Sequence, residues 1–374
     1  METLFFCSLL VLVYTYLLYL AVIYLLAQFN KKKQLSSYTP SITIVVPCYN
    51  EKDYILEKVK NTRELNYPNK KIIFITDGSD DGSDELLKQY NDIIVLHQPE
   101  RAGKSMAENR AISFVDTEIT VFTDANSTLN PDALIYIAQH FVDEKVAGVS
   151  GEKKILYNED DGANSASEGL YWKYESLIKK YDSDFYTVVG AAGELFAVRT
   201  KLYTQMPPDS INDDLTQSVM LNLQGYKIAY EPRAYAAETA SANVHEELKR
   251  KIRMCAGAWQ VMARYSGLFN FLKHPKLTFQ FISHRVLRWT LCPLALITLF
   301  LSNIILFDKN IYYQVFMYLQ IAFYIIAILG YYINKVKILY IPFYFVFMHW
   351  AAVLGFFRFM KGKQSVNWER VKRG

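Results

Sequence analysis

Four polar clusters in this chain each follow a short apolar run: "PCYNE" at 47–51, "DGSDDGS" at 77–83, "RAGKS" at 101–105 and "DANS" at 124–127. Together they offer carboxylates for a ribose, a base or a divalent cation, and a lysine and an arginine for phosphate. Asp124 and Asn126 can both present oxygen to a hard cation, but an amide brings no charge, so metal affinity should be lower than with two carboxylates. Further along, "NDD" at 212–214 precedes the helical pattern Leu215, Val219, Leu223. Asn212 or Asp213 can serve as the N-cap, and a helix N-terminus favours an ionised carboxylate beside it.

The elements that must position these clusters can be read from periodicity. Residues 41–46, 71–76, 93–96 and 119–123 are short runs of high β-propensity that look buried on both faces. Helical patterns at 54–65, 84–90 and 104–114 alternate with them. This alternation predicts an α/β domain with a mainly parallel sheet, in which ligands bind beyond the carboxyl ends of the strands. All four clusters fall at such ends. Two other nucleotide folds are excluded, because "VPCYNEKDY" has no glycine for a dinucleotide fingerprint and "QPERAGKS" has Gln98 where a P-loop needs glycine.

The rest of the chain belongs in lipid. A composition of 51% hydrophobic and 15% aromatic residues is too rich for a wholly soluble protein of 374 residues. Residues 3–30 carry no charge and are long enough to span a bilayer; Glu2 at the start and the length of the run argue against a cleaved signal. Three further spans are expected at 289–307, 310–334 and 338–357, and residues 274–288 read as an amphipathic helix at the membrane surface. The expected organisation is an anchor at 1–30, a polar domain at 36–270, the surface helix at 274–288, spans within 289–360 and a basic tail at 361–374. Lys31, Lys32, Lys33, Lys335 and Lys337 place the polar domain in the cytoplasm by the positive-inside rule, although three closing spans would put the basic tail outside. The scattered Cys7, Cys48, Cys255 and Cys292 suit a reducing compartment, and a net charge of +4 makes no case for nucleic acid.

In order and spacing, "VVPCYNE", "TDGSDDGS", "RAGKSMAENRA", "FTDAN", "YWKYE" (171–175), "GAAGELFAVR" (190–199), "NDD" and "RKIRM" (250–254) resemble the membrane-embedded family-2 glycosyltransferases. That branch includes the synthases of cellulose, chitin, hyaluronan and poly-N-acetylglucosamine, and ceramide glucosyltransferase. The resemblance implies a GT-A fold, a nucleotide-diphosphate sugar as donor, probable in the family as a UDP-sugar, and Mg2+ or Mn2+. It implies nucleotide contacts from Pro47, Tyr49, Glu51, Asp77, Lys104, Asp124 and Arg253, a metal held by Asp124 and Asn126, and an acceptor side shaped by Gly190, Gly193 and Glu194. Asp214 matches the family's general base, with Asp213 beside it.

The polymerising members carry Gln-x-x-Arg-Trp where this chain keeps Arg253 but has Arg250 and Met254, which puts sugar stacking there in doubt. Trp259 falls on another helical face. The aromatics of "YWKYE" read first as packing. His245 is an isolated possible metal ligand, whereas His284 and His349 are expected at the membrane interface. Two enzymatic functions follow: extension of a polysaccharide or oligosaccharide, or transfer of one sugar to a lipid or lipid-linked acceptor. A transporter is disfavoured, because His349 is the only ionisable residue within the expected spans. Membrane lipids are expected neighbours, and no residue pattern names a protein partner.

Overall fold

The computed structural model describes residues 1–30, 36–156, 163–239, 243–333, 337–362 and 364–365. Lys31, Lys32, Lys33 and Lys335, and most of the tail, on which the orientation expectation rests, lie outside them.

The polar segment is built on one eight-stranded sheet: β1 (Ile42–Cys48), β2 (Lys70–Asp77), β3 (Ile94–Gln98), β4 (Ile119–Phe122), β5 (Thr128–Leu129), β6 (Val146–Leu156), β7 (Phe196–Arg199) and β8 (Lys227–Thr239). Their order is β3-β2-β1-β4-β7-β6-β8-β5. The first four in that order are parallel, as the alternation of strands and helices requires. β7 then runs antiparallel between β4 and β6, and β6 pairs parallel with β8, so the sheet is mixed. Successive β1 residues enter different cores: Ile44 and Val46 pack on one face and Val45 on the other. Burial on both faces explains why these strands are apolar without alternation. The register between β6 and β8 breaks at Gly151/Glu152, where β8 contains Pro232, a residue with no N–H for the ladder.

The helices are α1 (Glu2–Gln28), α2 (Lys52–Glu64), α3 (Ser83–Leu87), α4 (Lys104–Ile112), α5 (Ala133–Ala138), α6 (Ala163–Phe185), α7 (Asp213–Leu223), α8 (Val244–Arg264), α9 (Pro275–Trp289), α10 (Leu291–Leu306), α11 (Ile311–Tyr332) and α12 (Lys337–Met360). Among the described residues, α1, α11 and residues Leu339–Met360 of α12 are long and apolar enough to cross a membrane.

The span expected at 289–307 takes a different form. It is the 16-residue α10, and it meets α9 at a 52° bend, so the pair is a broken span or a re-entrant turn. Pro293 supplies the reason: its ring would strike the carbonyl of Trp289, four residues earlier, in a continuous helix. Three of the four basic residues of α9 point inward rather than to a headgroup layer, Lys276 alone being exposed. His284 is fully buried with Nδ1 2.6 Å from Asp182 and Nε2 3.3 Å from Glu175, so it is not interfacial. Arg288 and Arg285 pair with the same Glu175.

Candidate active site

The carboxyl end of β4, the loop before β7 and the N-terminus of α7, together with α6, α8 and α9, enclose a cleft of about 200 Å³. Asp124, Gly190, Gly193, Glu194, Asp213, Asp214 and Arg253 line it. Gly103 has φ +96°, which turns the chain sharply so that α4 begins with Lys104 aimed at the sheet edge. Its Nζ lies 2.8 Å from Asp124 Oδ1 and 3.0 Å from Asp213 Oδ2. Burial works against this charge, but Asp124, Asp213 and Glu108 together hold the Lys104 pKa well above its ordinary value.

The two acids of "NDD" open α7. Asn212 occupies the N-cap position, yet its amide donates to the Met254 carbonyl at 2.9 Å and makes no cap bond. Asp213 is buried, and Lys104 outweighs that burial to keep its pKa low. Asp214 has no such partner. Its Oδ1 accepts from the Leu215 N–H at 2.7 Å, while burial first and then the charge of Asp213 raise its pKa to about 7. A carboxylate so placed is matched to taking up a proton near neutrality. A Cβ on Gly193 would stand 3.4 Å from Asp214 Oδ2, so this glycine keeps open the space in front of the acid.

Arg253, from α8, reaches the same cleft. Its Nη2 donates to the Ile211 carbonyl at 3.0 Å, whereas its buried Nε has no hydrogen-bond partner among the described residues. Asp77 is placed differently from the expectation that it touches base or ribose. It is fully buried and accepts from the backbone N–H of Gly103 at 2.7 Å and of Ala102 at 3.1 Å, which holds the turn that presents Lys104. Tyr49 stacks under Arg101, whose guanidinium carbon is 3.4 Å from the ring centroid. Pro47 is the buried end of β1 and Glu51 is half-buried at the start of α2; neither is among the residues lining the cleft. Glu194 lines the cleft but is tied to the buried Lys153, which also pairs with Glu238.

For a cation, Asp124 is the one residue of the expected pair that lines the cleft; Asn126 stands outside the lining. Among the described residues no group of three or more His, Cys, Asp and Glu side chains could hold a metal alone, and His245 is exposed. The donor set does fit Mg2+ or Mn2+ of the kind held by one or two carboxylates and completed by substrate phosphates. Burial and the charges of Glu194 and Asp213 raise the Asp124 pKa despite Lys104, so added positive charge is favoured there.

Two positioning residues were missed in the sequence. Lys58 is buried, donates to Thr123 Oγ1 at 2.9 Å and the Ser127 carbonyl at 2.7 Å, and so clamps the loop that carries Asp124. Its signal was a lysine on the apolar face of α2, between Ile55 and Val59, and burial lowers its pKa to about 7. Glu108, one turn after Lys104, is buried beside Asp213, and burial and that neighbour raise its pKa well above the ordinary range. Tyr171, Trp172 and Met254 do line the cleft, whereas Trp259 packs on Phe356 with ring centroids 4.8 Å apart.

Residues 43–206 match the family described as Glycosyl transferase family 2. The poly-beta-1,6-N-acetyl-D-glucosamine synthase of Staphylococcus aureus (strain MSSA476) is 29% identical over 247 residues, 63% of this chain and 59% of that protein. Its Staphylococcus epidermidis counterpart is 27% identical over 248 residues, 63% of this chain and 58% of its own. The alignment thus spans less than two thirds of the length of these relatives. A mannosyltransferase from Pyrobaculum calidifontis, solved in complex with GDP-Man and Mn2+, shares the fold across 97% of this chain and 99% of its own, with TM-score 0.74 at 19% identity. The fold is therefore GT-A, and residues 43–206 form a region similar to glycosyltransferase family 2.

Proposed function

We propose that this chain is a membrane-bound inverting glycosyltransferase that moves a sugar from a nucleotide-diphosphate sugar, a UDP-sugar in our reading, to a saccharide or lipid-linked acceptor. The observation that carries this is the meeting of Asp214, its pKa raised to about 7, with Asp213, Asp124, Lys104 and Arg253 at one cleft.

Asp214 takes the proton of the attacking hydroxyl as the new bond to the anomeric carbon forms. Arg253 offers its unpartnered Nε to the departing diphosphate, and Lys104 adds positive charge beside it. Asp124 would hold Mg2+ or Mn2+, with Asn126 the weaker second donor; when bound, that ion supplies positive charge to the diphosphate. Asp77 acts on the nucleotide through the Lys104 turn, and Tyr49 with Glu51 borders the base. Gly190, Gly193 and Glu194 form the acceptor side. We place the catalytic domain in the cytoplasm. A re-entrant α9–α10 pair would leave two closing spans and bring the basic tail to that same side.

Polysaccharide synthesis by the staphylococcal relatives supports chain extension, whereas an apolar cavity adjoining the cleft supports a lipid acceptor. Purified full-length protein is to be given a panel of UDP-sugars and GDP-Man with Mg2+ or Mn2+, and nucleoside diphosphate release measured. Release from at least one donor that disappears in Asp214→Asn is expected. No release from any donor, or equal release by the variant, rejects the reading.

A further inference from the structure

A second cavity of about 430 Å³ lies beside the cleft, between α1, α6, α9 and α12. Tyr16, Tyr174, Tyr344 and Phe345 are among the residues that line it. Tyr171, Cys255, Trp289 and Met348 line both this cavity and the cleft of Asp214, so the two are neighbours across shared walls. Its volume is within the ~300–1,000 Å³ of small-molecule sites, and its lining is mostly aromatic and aliphatic. Of the helices around it, which include α8 through Cys255, α1 and α12 are long and apolar enough to cross a membrane. On α12, Ile341 and Trp350 are about half exposed at 47% and 55%, so this helix also has an apolar outer face.

The second observation concerns charge. Glu175 pairs with Arg285 and Arg288, Glu194 and Glu238 pair with Lys153, and Asp124 and Asp213 pair with Lys104. Lys179 also lines the cleft and is only 5% exposed, yet among the described residues it makes no ion pair or hydrogen bond. Its ammonium stands 5.8 Å from the Trp172 ring centroid; burial and the like charge of Arg285 weigh on it more than the carboxylates of Glu175, Glu152 and Glu194, none of which pairs with it. A buried cation with no carboxylate in contact is costly, and an anion entering the cleft lowers that cost.

Together these features point to an amphiphile. We propose that the acceptor is a hydrocarbon chain joined to a phosphate, with its tail in the cavity of Tyr16 and Phe345, its phosphate beside Lys179, and its attacking oxygen toward Asp214. This assignment rests on the proposed sugar transfer. In the reaction a hydroxyl oxygen of the head, either the phosphate's own or one beyond it, bonds to the anomeric carbon. The bond from that carbon to the donor diphosphate breaks, its electron pair leaves with the diphosphate, and the hydroxyl proton passes to Asp214.

The test uses the full chain in nanodiscs of neutral phosphatidylcholine, with radiolabelled hexadecyl phosphate as probe and hexadecanol and inorganic phosphate as competitors. Saturable binding is expected, with each competitor at least tenfold weaker than unlabelled hexadecyl phosphate. Lys179→Met should weaken binding at least tenfold and Lys179→Arg should restore most of it; Ala352→Trp, which fills the cavity, should act like Lys179→Met. Should Ala352→Trp fail to fold, the lysine pair and the competitors still decide. Competition by hexadecanol equal to that of hexadecyl phosphate, competition by inorganic phosphate alone, or unchanged affinity in Lys179→Met each overturns the assignment. A protein that releases diphosphate from a sugar nucleotide but ignores hexadecyl phosphate refutes this inference and leaves the transfer reading intact. A protein that binds hexadecyl phosphate but turns over no donor refutes the transfer reading, and with it the acceptor role.

Discussion

Lys104 Nζ lies 2.8 Å from Asp124 Oδ1, which joins the cluster after β3 to the cluster after β4 across the parallel half of the sheet. Asp124 is thus both the partner of a buried lysine and the one expected metal ligand that lines the cleft. Asp124→Ala is expected to abolish donor binding as well as transfer, measured by calorimetric titration of UDP in the presence of Mn2+. Asn126→Ala, outside the lining, is expected to leave most of that affinity in place. The reverse ranking would move the cation away from Asp124.

Asp214 should behave differently. Asp214→Asn is expected to keep donor affinity and lose about 10²–10⁴-fold in turnover, the usual worth of a positioned general base. The pH profile gives an independent check. The folded-state pKa is raised from 3.8 to about 7, so free enzyme below that pH carries the proton and cannot act as base. kcat/KM should therefore rise with pH through about 7. The linked stability effect has the opposite sense: the folded state holds this proton more tightly, so the contribution of Asp214 to stability falls as pH rises from about 4 to about 7. A flat kcat/KM between pH 5 and 8 would remove Asp214 from the role.

The glycines before the acceptor side separate function from folding. Gly193→Ala puts a methyl group 3.4 Å from Asp214 Oδ2 and 3.6 Å from Lys104 Nζ, in ordinary contact with both. Its expected signature is a turnover loss of about tenfold or more, worth about 1.4 kcal/mol, with thermal stability nearly unchanged. Gly190 has φ +113°, and a Cβ there meets Leu215 Cδ1 at 3.0 Å. Gly190→Ala should instead lower the melting temperature, by an amount corresponding to about 1–3 kcal/mol of backbone strain.

Glu175 is the hinge of a buried ion network. Burial opposes its charge, but Arg288, His284 and Arg285 outweigh that and hold its pKa well below the usual carboxylate range. Glu175→Gln leaves two guanidinium groups without their carboxylate, so a loss of about 3–5 kcal/mol is expected in denaturant unfolding. Because Arg285 also donates to the Val189 carbonyl at 3.1 Å, the loop holding Gly190 should loosen as well, seen as faster amide exchange there.

The sequence alone determined the parallel half of the sheet and the loops that carry its chemistry. Local patterns suffice for that: branched residues buried on both faces make β1, β2 and β4, and turn-forming acids must follow them at the carboxyl ends. It did not reveal β6, β7 and β8, whose places depend on partners up to about a hundred residues away. Nor could it show the position of Asp77 under the Lys104 turn, the burial of His284, or the burial of Lys179 in the cleft without an ion pair among the described residues. Those depend on which helix covers which face, and burial, pairing and pKa are properties of that packing rather than of residue order. Tertiary structure also sets the two acids of "NDD" apart, because Asp213 lies within ion-pair distance of Lys104 whereas burial and Asp213 raise the pKa of Asp214.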